Sequence, residues 1–341
     1  MSLSIYQIDV TDPAVARAQL QVSTASMSHD IPAFPQPTER MAELALKYGW
    51  VGRRSEIYLA ELDGRAVGRL DVTFPTLDNL KSMFMHIEVV PEFRRQGIGR
   101  ALWDKAVERA RANGRTTVMS NTCWTLPGLP AGDGGAGPAF AEAMGFASAN
   151  LPEVMRRFDL STLDETVLEA IFEKAKTKSQ GYRLIRWIND APDEYVDDVA
   201  YLDGRLVEDA PMGDLEIEPE QVDAARVRHM ERKAKLRGRR SYHTGAVHEE
   251  TNRLVAWTTL AKDNELDWHC WQQITIVEPK HRGHRLGALV KVANLRFYLE
   301  NEPATKIIDT FNAAVNSYMI SINEEMGFRP LYSFQNWKRD V

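Results

Sequence analysis

The sequence predicts an α/β protein of mixed α+β type, built from two tandem domains that are each a mixed, mostly antiparallel sheet flanked by helices. Three observations predict it. A short apolar strand runs into a proline and then a basic, glycine-punctuated turn that opens a helix, and this unit occurs twice, with Arg94 and Arg282 at equivalent places 188 residues apart. A Gly-Phe pair follows each unit about fifty residues later, as Gly145-Phe146 and Gly327-Phe328. The order of strands and helices around the two units also repeats, which marks a duplicated fold.

In order, the first copy reads as a strand at 4–10, helices at 15–27 and 38–48, and strands at 56–62, 66–74 and 83–90. Asp63-Gly64 between two of these strands is a hairpin signal. The helix after the first turn carries Ile98, Leu102, Ala106 and Ala110 at four-residue spacing, which forms one apolar stripe. A strand at 116–120, a Gly- and Pro-rich loop at 126–138, a short helix to Met144 and a strand ending near Leu160 complete the copy. Residues 161–181 read as a helical linker, with Thr162 and Glu165 spaced as a capping box. The second copy then runs through a strand at 182–187, helical matter to Leu236, strands at 241–248, 254–260 and 269–277, a helix at 286–299, a strand at 306–311, a helix at 314–326 and a strand near 331–337. The expected division is therefore 1–160, a linker over 161–180, and 181–341.

Composition sets the class. The chain has 341 residues, 44% hydrophobic and 26% charged, enough for two cores. Its start lacks a basic region followed by a long apolar run, and no apolar stretch approaches the roughly 20 residues of a membrane span, so a cytoplasmic protein without a membrane partner is expected. A net charge of −6 argues against a nucleic-acid partner. Cys123 and Cys270 are too few for a disulfide framework or a structural zinc site, and no metal-ligand spacing occurs. Charge is locally segregated, with twelve carboxylates between Asp193 and Asp223 and eight Arg or Lys between Arg226 and Arg240. These segments are either solvated faces that neutralise each other or the lining of an entrance for a cationic amine.

The repeated units carry the chemistry. Ile87-Glu88-Val89-Val90-Pro91 leads into Arg94-Arg95-Gln96-Gly97-Ile98-Gly99-Arg100, and Thr275-Ile276-Val277-Glu278-Pro279 leads into Arg282-Gly283-His284-Arg285-Leu286-Gly287. A helix that begins in small residues exposes unpaired N–H groups and its positive dipole end, which suits a pyrophosphate. The first turn lacks the lysine and hydroxyl of a P-loop, and three strand-like stretches already precede it, which excludes a first-strand dinucleotide fingerprint. Arg-x-x-Gly-x-Gly after a Val-x-Pro strand end, followed by Gly-Phe, resembles the GNAT superfamily of acyl-CoA-dependent N-acetyltransferases, and the resemblance covers essentially the whole chain as two copies.

That resemblance implies acetyl-CoA as co-substrate, a small-molecule amine as acceptor, and a strand whose backbone pairs with the pantetheine at Val89, Val90, Ile276 and Val277. It implies pyrophosphate binding at the two turns, with Arg285 standing where a glycine is usual. It also implies a tyrosine that protonates the departing thiolate, yet its positions hold Ala141 and Asn323. Of the asparagine that accompanies it, only the second copy has one, Asn316; the first has Gly134. A general base is expected at an even offset before the last strand valine. From Val89 those positions are Ile87, Met85 and Met83, all apolar; from Val277 they include His269, an imidazole of the kind that exchanges protons near neutrality. His86 and Glu88 fall on the other face of their strand. His269 and Asn323 are thus the expected catalytic residues, and the C-terminal copy the expected seat of the chemistry. A non-catalytic acyl-CoA-binding sensor or scaffold is the alternative, and the chain is expected to be a monomer or a homodimer.

Overall fold

The computed structural model describes residues 2–9, 12–125 and 136–341, and they form two compact units. Among them no helix is long and apolar enough to cross a membrane.

Unit 1 comprises Met1–Val154, Met212–Glu218 and Leu331–Val341. Its elements are β1 (Leu3–Gln7), α1 (Pro13–Asp30), α2 (Glu39–Lys47), β2 (Arg53–Leu62), β3 (Arg65–Pro75), β4 (Ser82–Val89), α3 (Ile98–Ala112), β5 (Thr117–Thr125), α4 (Ala136–Ala143) and the first part of β6 (Ala147–Asp159). Strands β1 to β4 pair antiparallel in sequence order, and β4 pairs parallel with β5. The predicted stripe of α3 packs on this sheet, with Ile98, Leu102, Ala106 and Ala110 all at most 2% exposed. Gly145 ends the α4 segment at φ +75°, which only glycine adopts freely, and turns Phe146 into the core.

Unit 2 comprises Met155–Pro211 and Pro219–Pro330. It contains α5 (Glu165–Lys176), β7 (Tyr182–Ile188), α6 (Val196–Gly204), α7 (Leu206–Asp209), α8 (Ala224–Leu236), β8 (Arg239–His248), β9 (Arg253–Asp263), β10 (His269–Val277), α9 (Leu286–Asn301), β11 (Ile307–Ala313) and α10 (Ser317–Met326). Strands β7 to β10 are antiparallel in order, β10 pairs parallel with β11, and the end of β6 lies beside β11. The helix α10 ends at Gly327, φ +114°, whose missing Cβ makes room for the Phe158 ring.

Two local expectations change. The last strand, β12 (Arg329–Asp340), read as the close of the second copy, runs almost wholly in unit 1 and pairs antiparallel with β5 over nine residues, from Tyr332 opposite Thr125 to Asp340 opposite Thr117. Strand pairing is set by the free edge that needs a partner, not by nearness in the chain. The cap of α5 is Asp164, whose carboxylate accepts from the N–H groups of Thr166 and Val167, while the Thr162 hydroxyl donates to the Asp159 carbonyl. The charge segments meet at two ion pairs, Arg228 with Asp193 and Arg226 with Glu220, each at 2.5 Å, while Lys235 pairs at 2.7 Å with Asp190, just before the acidic segment.

Candidate functional site

In each unit the two parallel strands pair only at one end and then part. Strand β4 matches β5 at Ser82, Met83 and Phe84; strand β10 matches β11 at His269, Cys270 and Trp271. Just beyond the last pair, a β-strand hydroxyl bridges the opening in both units: Ser120 Oγ donates to the Met85 carbonyl at 2.9 Å, and Thr310 Oγ1 to the Gln272 carbonyl at 3.1 Å. The Val90 N–H donates to Val67 of β3, so the backbone of Ile87 and Val89 turns the other way, into the gap. Of the expected pair Val89 and Val90, only Val89 therefore offers its backbone there. In unit 2 the Glu278 N–H donates to Val255, so Val277 faces the gap and the backbone of Ile276 pairs with β9.

The two turns share one backbone written with exchanged residues. Arg95 and Gly97 lie in the left-handed region at φ +64° and +85°, and Gly283 and Arg285 lie there at +88° and +54°. Arg285 thus accepts, at a cost of roughly 1–2 kcal/mol, the conformation that Gly97 adopts freely. Neither the N–H groups of Arg95, Gln96, Gly97, Ile98, Gly99 and Arg100 nor those of Gly283, His284, Arg285, Leu286, Gly287 and Ala288 donate to a backbone carbonyl among the described residues. A Cβ built on Gly97 or Gly283 meets nothing within 4 Å, so each turn has an open face, which fits a pyrophosphate. Gly99 has a different duty: a Cβ there would stand 3.0 Å from the Phe140 ring.

Side chains of the turns mostly hold the turn itself. Arg94 binds both oxygens of Asp30 at 2.8 and 2.7 Å and donates through Nε to the Val89 carbonyl at 3.0 Å. Arg282 repeats the device with Asp209 at 3.0 Å and Val277 at 3.4 Å. Gln96 donates to the Glu92 carbonyl and Arg285 approaches Glu325 at 3.8 Å, while Ile98 and Leu286 are buried. His284 meets the Lys178 carbonyl through Nδ1 at 3.1 Å.

In unit 1 the gap opens into a cavity of about 290 Å³ that takes residues from both faces of the sheet. Met85, Phe140, Ala141 and Phe146 line it on the α3 and α4 side. Ser23 and Met27 of α1 line the other side with Arg69, Asp71, His86 and Glu88. The last four share one face because Asp71 stands opposite His86, and Arg69 opposite Glu88, in the antiparallel register. Arg69 binds Glu88 at 2.8 Å and Asp71 at 3.0 Å, and Ser23 donates to Glu88 at 2.9 Å.

Unit 2 uses the corresponding face differently. Register places Trp257 and Ile276 where unit 1 has Arg69 and Glu88, and Gln273 and Ile274 form a bulge where unit 1 has His86. Trp257 and Thr259 both meet His243, which is stacked on Trp187 and held down to about 3 by burial, and Ile276 is 5% exposed in the same apolar cluster. Gln272 turns its amide inward, to the Thr258 hydroxyl at 3.1 Å and the Thr259 carbonyl at 3.0 Å.

His269 does not open onto a cleft. It is 1% exposed, and its Nε2 meets Asp309 at 3.0 Å while Arg157 grips the same carboxylate at 2.8 and 2.7 Å. The reason is a bulge: between Gln272 and Thr275 the strand spends one more residue than β9 does, so counting by twos from Val277 changes face before reaching His269. His269 is the counterpart of Ser82, at the closed end of the paired strands. Asn323 is fully buried and donates to Asn312 at 2.8 Å, and Asn316 caps α10 by accepting from the Met319 N–H. Gly134 lies outside the described residues.

Arg69 and Asp71 were not singled out from sequence. The available signal was charge at alternate positions on two neighbouring strands, 69 and 71 on one and 86 and 88 on the other, a pattern ordinarily read as a solvated face. Cys123 is pushed up to about 11, by burial first and then by Asp30, so it stays a thiol. No group of three or more metal-ligating side chains that could hold an ion occurs among the described residues.

Comparison with known proteins adds three findings. The acetyltransferase (GNAT) family profile matches residues 23–125. A tandem GNAT protein from the clavulanic acid biosynthesis pathway, solved without acetyl-CoA, is 30% identical, with 99% of this chain and 98% of that one covered at a TM-score of 0.83. A GCN5-related N-acetyltransferase from Sphaerobacter thermophilus shares the fold at 15% identity, with 99% and 95% covered and a TM-score of 0.66. No curated protein sequence matches.

Proposed function

The chain belongs to the GNAT family of acetyltransferases, and from that premise we propose that it carries an acetyl group from acetyl-CoA to the primary amine of a small molecule, in the cavity of unit 1. The observation that carries this reading is that the cavity takes its lining from both faces of the sheet, at the point where β4 and β5 part. A thioester held along the free edge of β4 and an amine entering beside α1 would meet there.

Acetyl-CoA supplies the acyl group as a thioester, so a C–N bond forms as the C–S bond breaks and the amine gives up a proton. The free edge at Ile87 and Val89 orients the strand side of the site, and the unpaired N–H groups of residues 95–100 hold negative charge at the helix start. Asp71 and Glu88 attract the ammonium, and Arg69 fixes both carboxylates in place. His86, opposite Asp71 and with no side-chain hydrogen bond or ion pair among the described residues, takes the proton. Ala141 leaves no hydroxyl at the family's tyrosine position, which favours a second reading, an acyl-CoA sensor without turnover. Thiol release from acetyl-CoA with a panel of amines, and mass spectrometry of the acetylated products, separates the two. Acetyl-CoA binding without product from any amine would leave the sensor.

A further inference from the structure

We propose that the acceptor is a monoamine with no carboxylate beside its nitrogen, a substrate class that rests on the reading of the unit 1 cavity as the acceptor site. Among the described residues the ionisable side chains that line the cavity are Arg69, Asp71, Glu88 and His86, and the two carboxylates and one guanidinium sum to one negative charge. A single ammonium balances that charge; a zwitterion does not.

The guanidinium among these described residues is committed. Arg69 spends one Nη on Glu88 and the other on Asp71, and its Nε is sealed from solvent. The guanidinium therefore already neutralises two carboxylates and its Nε is closed to a ligand, so it is not the open, unpaired fork that carboxylate recognition uses. An acceptor carboxylate on the carbon next to the nitrogen would instead stand close to Asp71 and Glu88, where like charges repel inside a partly desolvated pocket. Met27, Met85, Phe140 and Phe146, which line the cavity together with the polar Ser120, Asn121 and Thr122, suit an apolar substituent.

Steady-state rates with matched acceptors test this: phenethylamine, phenylalaninol and phenylalanine, and the corresponding tyramine series, each with saturating acetyl-CoA. Within a series that turns over, kcat/KM for the amine and for the amino alcohol should exceed that for the amino acid at least tenfold, about 1.4 kcal/mol. The amino alcohol keeps the bulk and removes only the charge. If it is as poor as the amino acid, bulk and not charge discriminates, and the proposal falls. Equal or better rates with the amino acid also overturn it, while leaving the cavity as the acceptor site. Asp71→Asn, with folding checked by circular dichroism, should narrow the gap between amine and amino acid; an unchanged gap counts against the charge argument. If no amine in either series is acetylated although calorimetry detects acetyl-CoA binding, the acceptor-site reading fails and takes this inference with it.

Discussion

The two units place the same backbone devices at the same points and then surround them with different chemistry. Both part their parallel strands after three pairs, both bridge the opening with a β-strand hydroxyl, and both set two left-handed residues in the turn, although arginine and glycine exchange places between Arg95-Gln96-Gly97 and Gly283-His284-Arg285. Yet the sheet face that carries Arg69, Asp71, His86 and Glu88 beside a cavity in unit 1 carries Trp257 and Ile276 in unit 2, both deep in an apolar cluster against which Ile274 of the bulge also packs. Under the proposed function, the difference teaches that a phosphate-gripping scaffold is a matter of backbone and survives side-chain exchange, whereas a reacting face depends on a few side chains and is easily turned into core.

The most severe test of the comparison is to remove one imidazole from each unit. His86→Ala should lower kcat by about 10²–10⁴-fold, the usual worth of a positioned proton acceptor, with acetyl-CoA affinity unchanged in calorimetry. His269→Ala should instead leave kcat within a few fold and lower the melting temperature, because it breaks a buried cluster and leaves Asp309 to Arg157 alone. The reverse outcome would move the chemistry to unit 2.

A second test concerns the interior of unit 2. Lys291 is 1% exposed on α9, its amine lies 5.6 Å from the Phe328 ring centre, and burial brings it down to about 7 from its ordinary value near 10.5. Between those values the unfolded chain holds a proton that the folded chain has released, so stability rises with pH across that window. Lys291→Met should stabilise the protein at pH 7 by on the order of 4 kcal/mol, and the gain should fade toward pH 10. Thermal melts at pH 7 and 9.5 check this; a gain independent of pH would mean that packing rather than charge is responsible.

The smallest effect sharpens the likeness between the turns. Arg285→Gly should raise stability by about 1 kcal/mol by relieving a left-handed arginine, and Gly97→Ala should cost about the same. A destabilised Arg285→Gly would show that its contact toward Glu325 outweighs the backbone cost.

Much of the architecture was legible because local period and turn chemistry reach the eye directly. The stripe from Ile98 to Ala110, the strand into Pro91 and Pro279, and the glycine closures at Gly145 and Gly327 each depend on neighbours within a turn or two, and each stands where the sequence puts it. The candidate site was less legible. Counting by twos along β10 led to His269, and the count fails at a bulge that no residue type in Gln272-Gln273-Ile274-Thr275 announces. Along β4 the same count is sound, but it was followed on the apolar face, whereas the cavity also takes the opposite one.

By itself, then, the sequence determined the duplicated fold, the two strand-turn-helix units and the family resemblance, because alternation, helical spacing and glycine conformations are properties of short segments. Tertiary structure alone decided that β12 closes the sheet of unit 1, that His269 is locked to Asp309, and that Arg69, Asp71, His86 and Glu88 converge on one cavity. Those outcomes depend on strand register and on which edge finds which partner, and a one-residue change in register turns every following side chain to the other face.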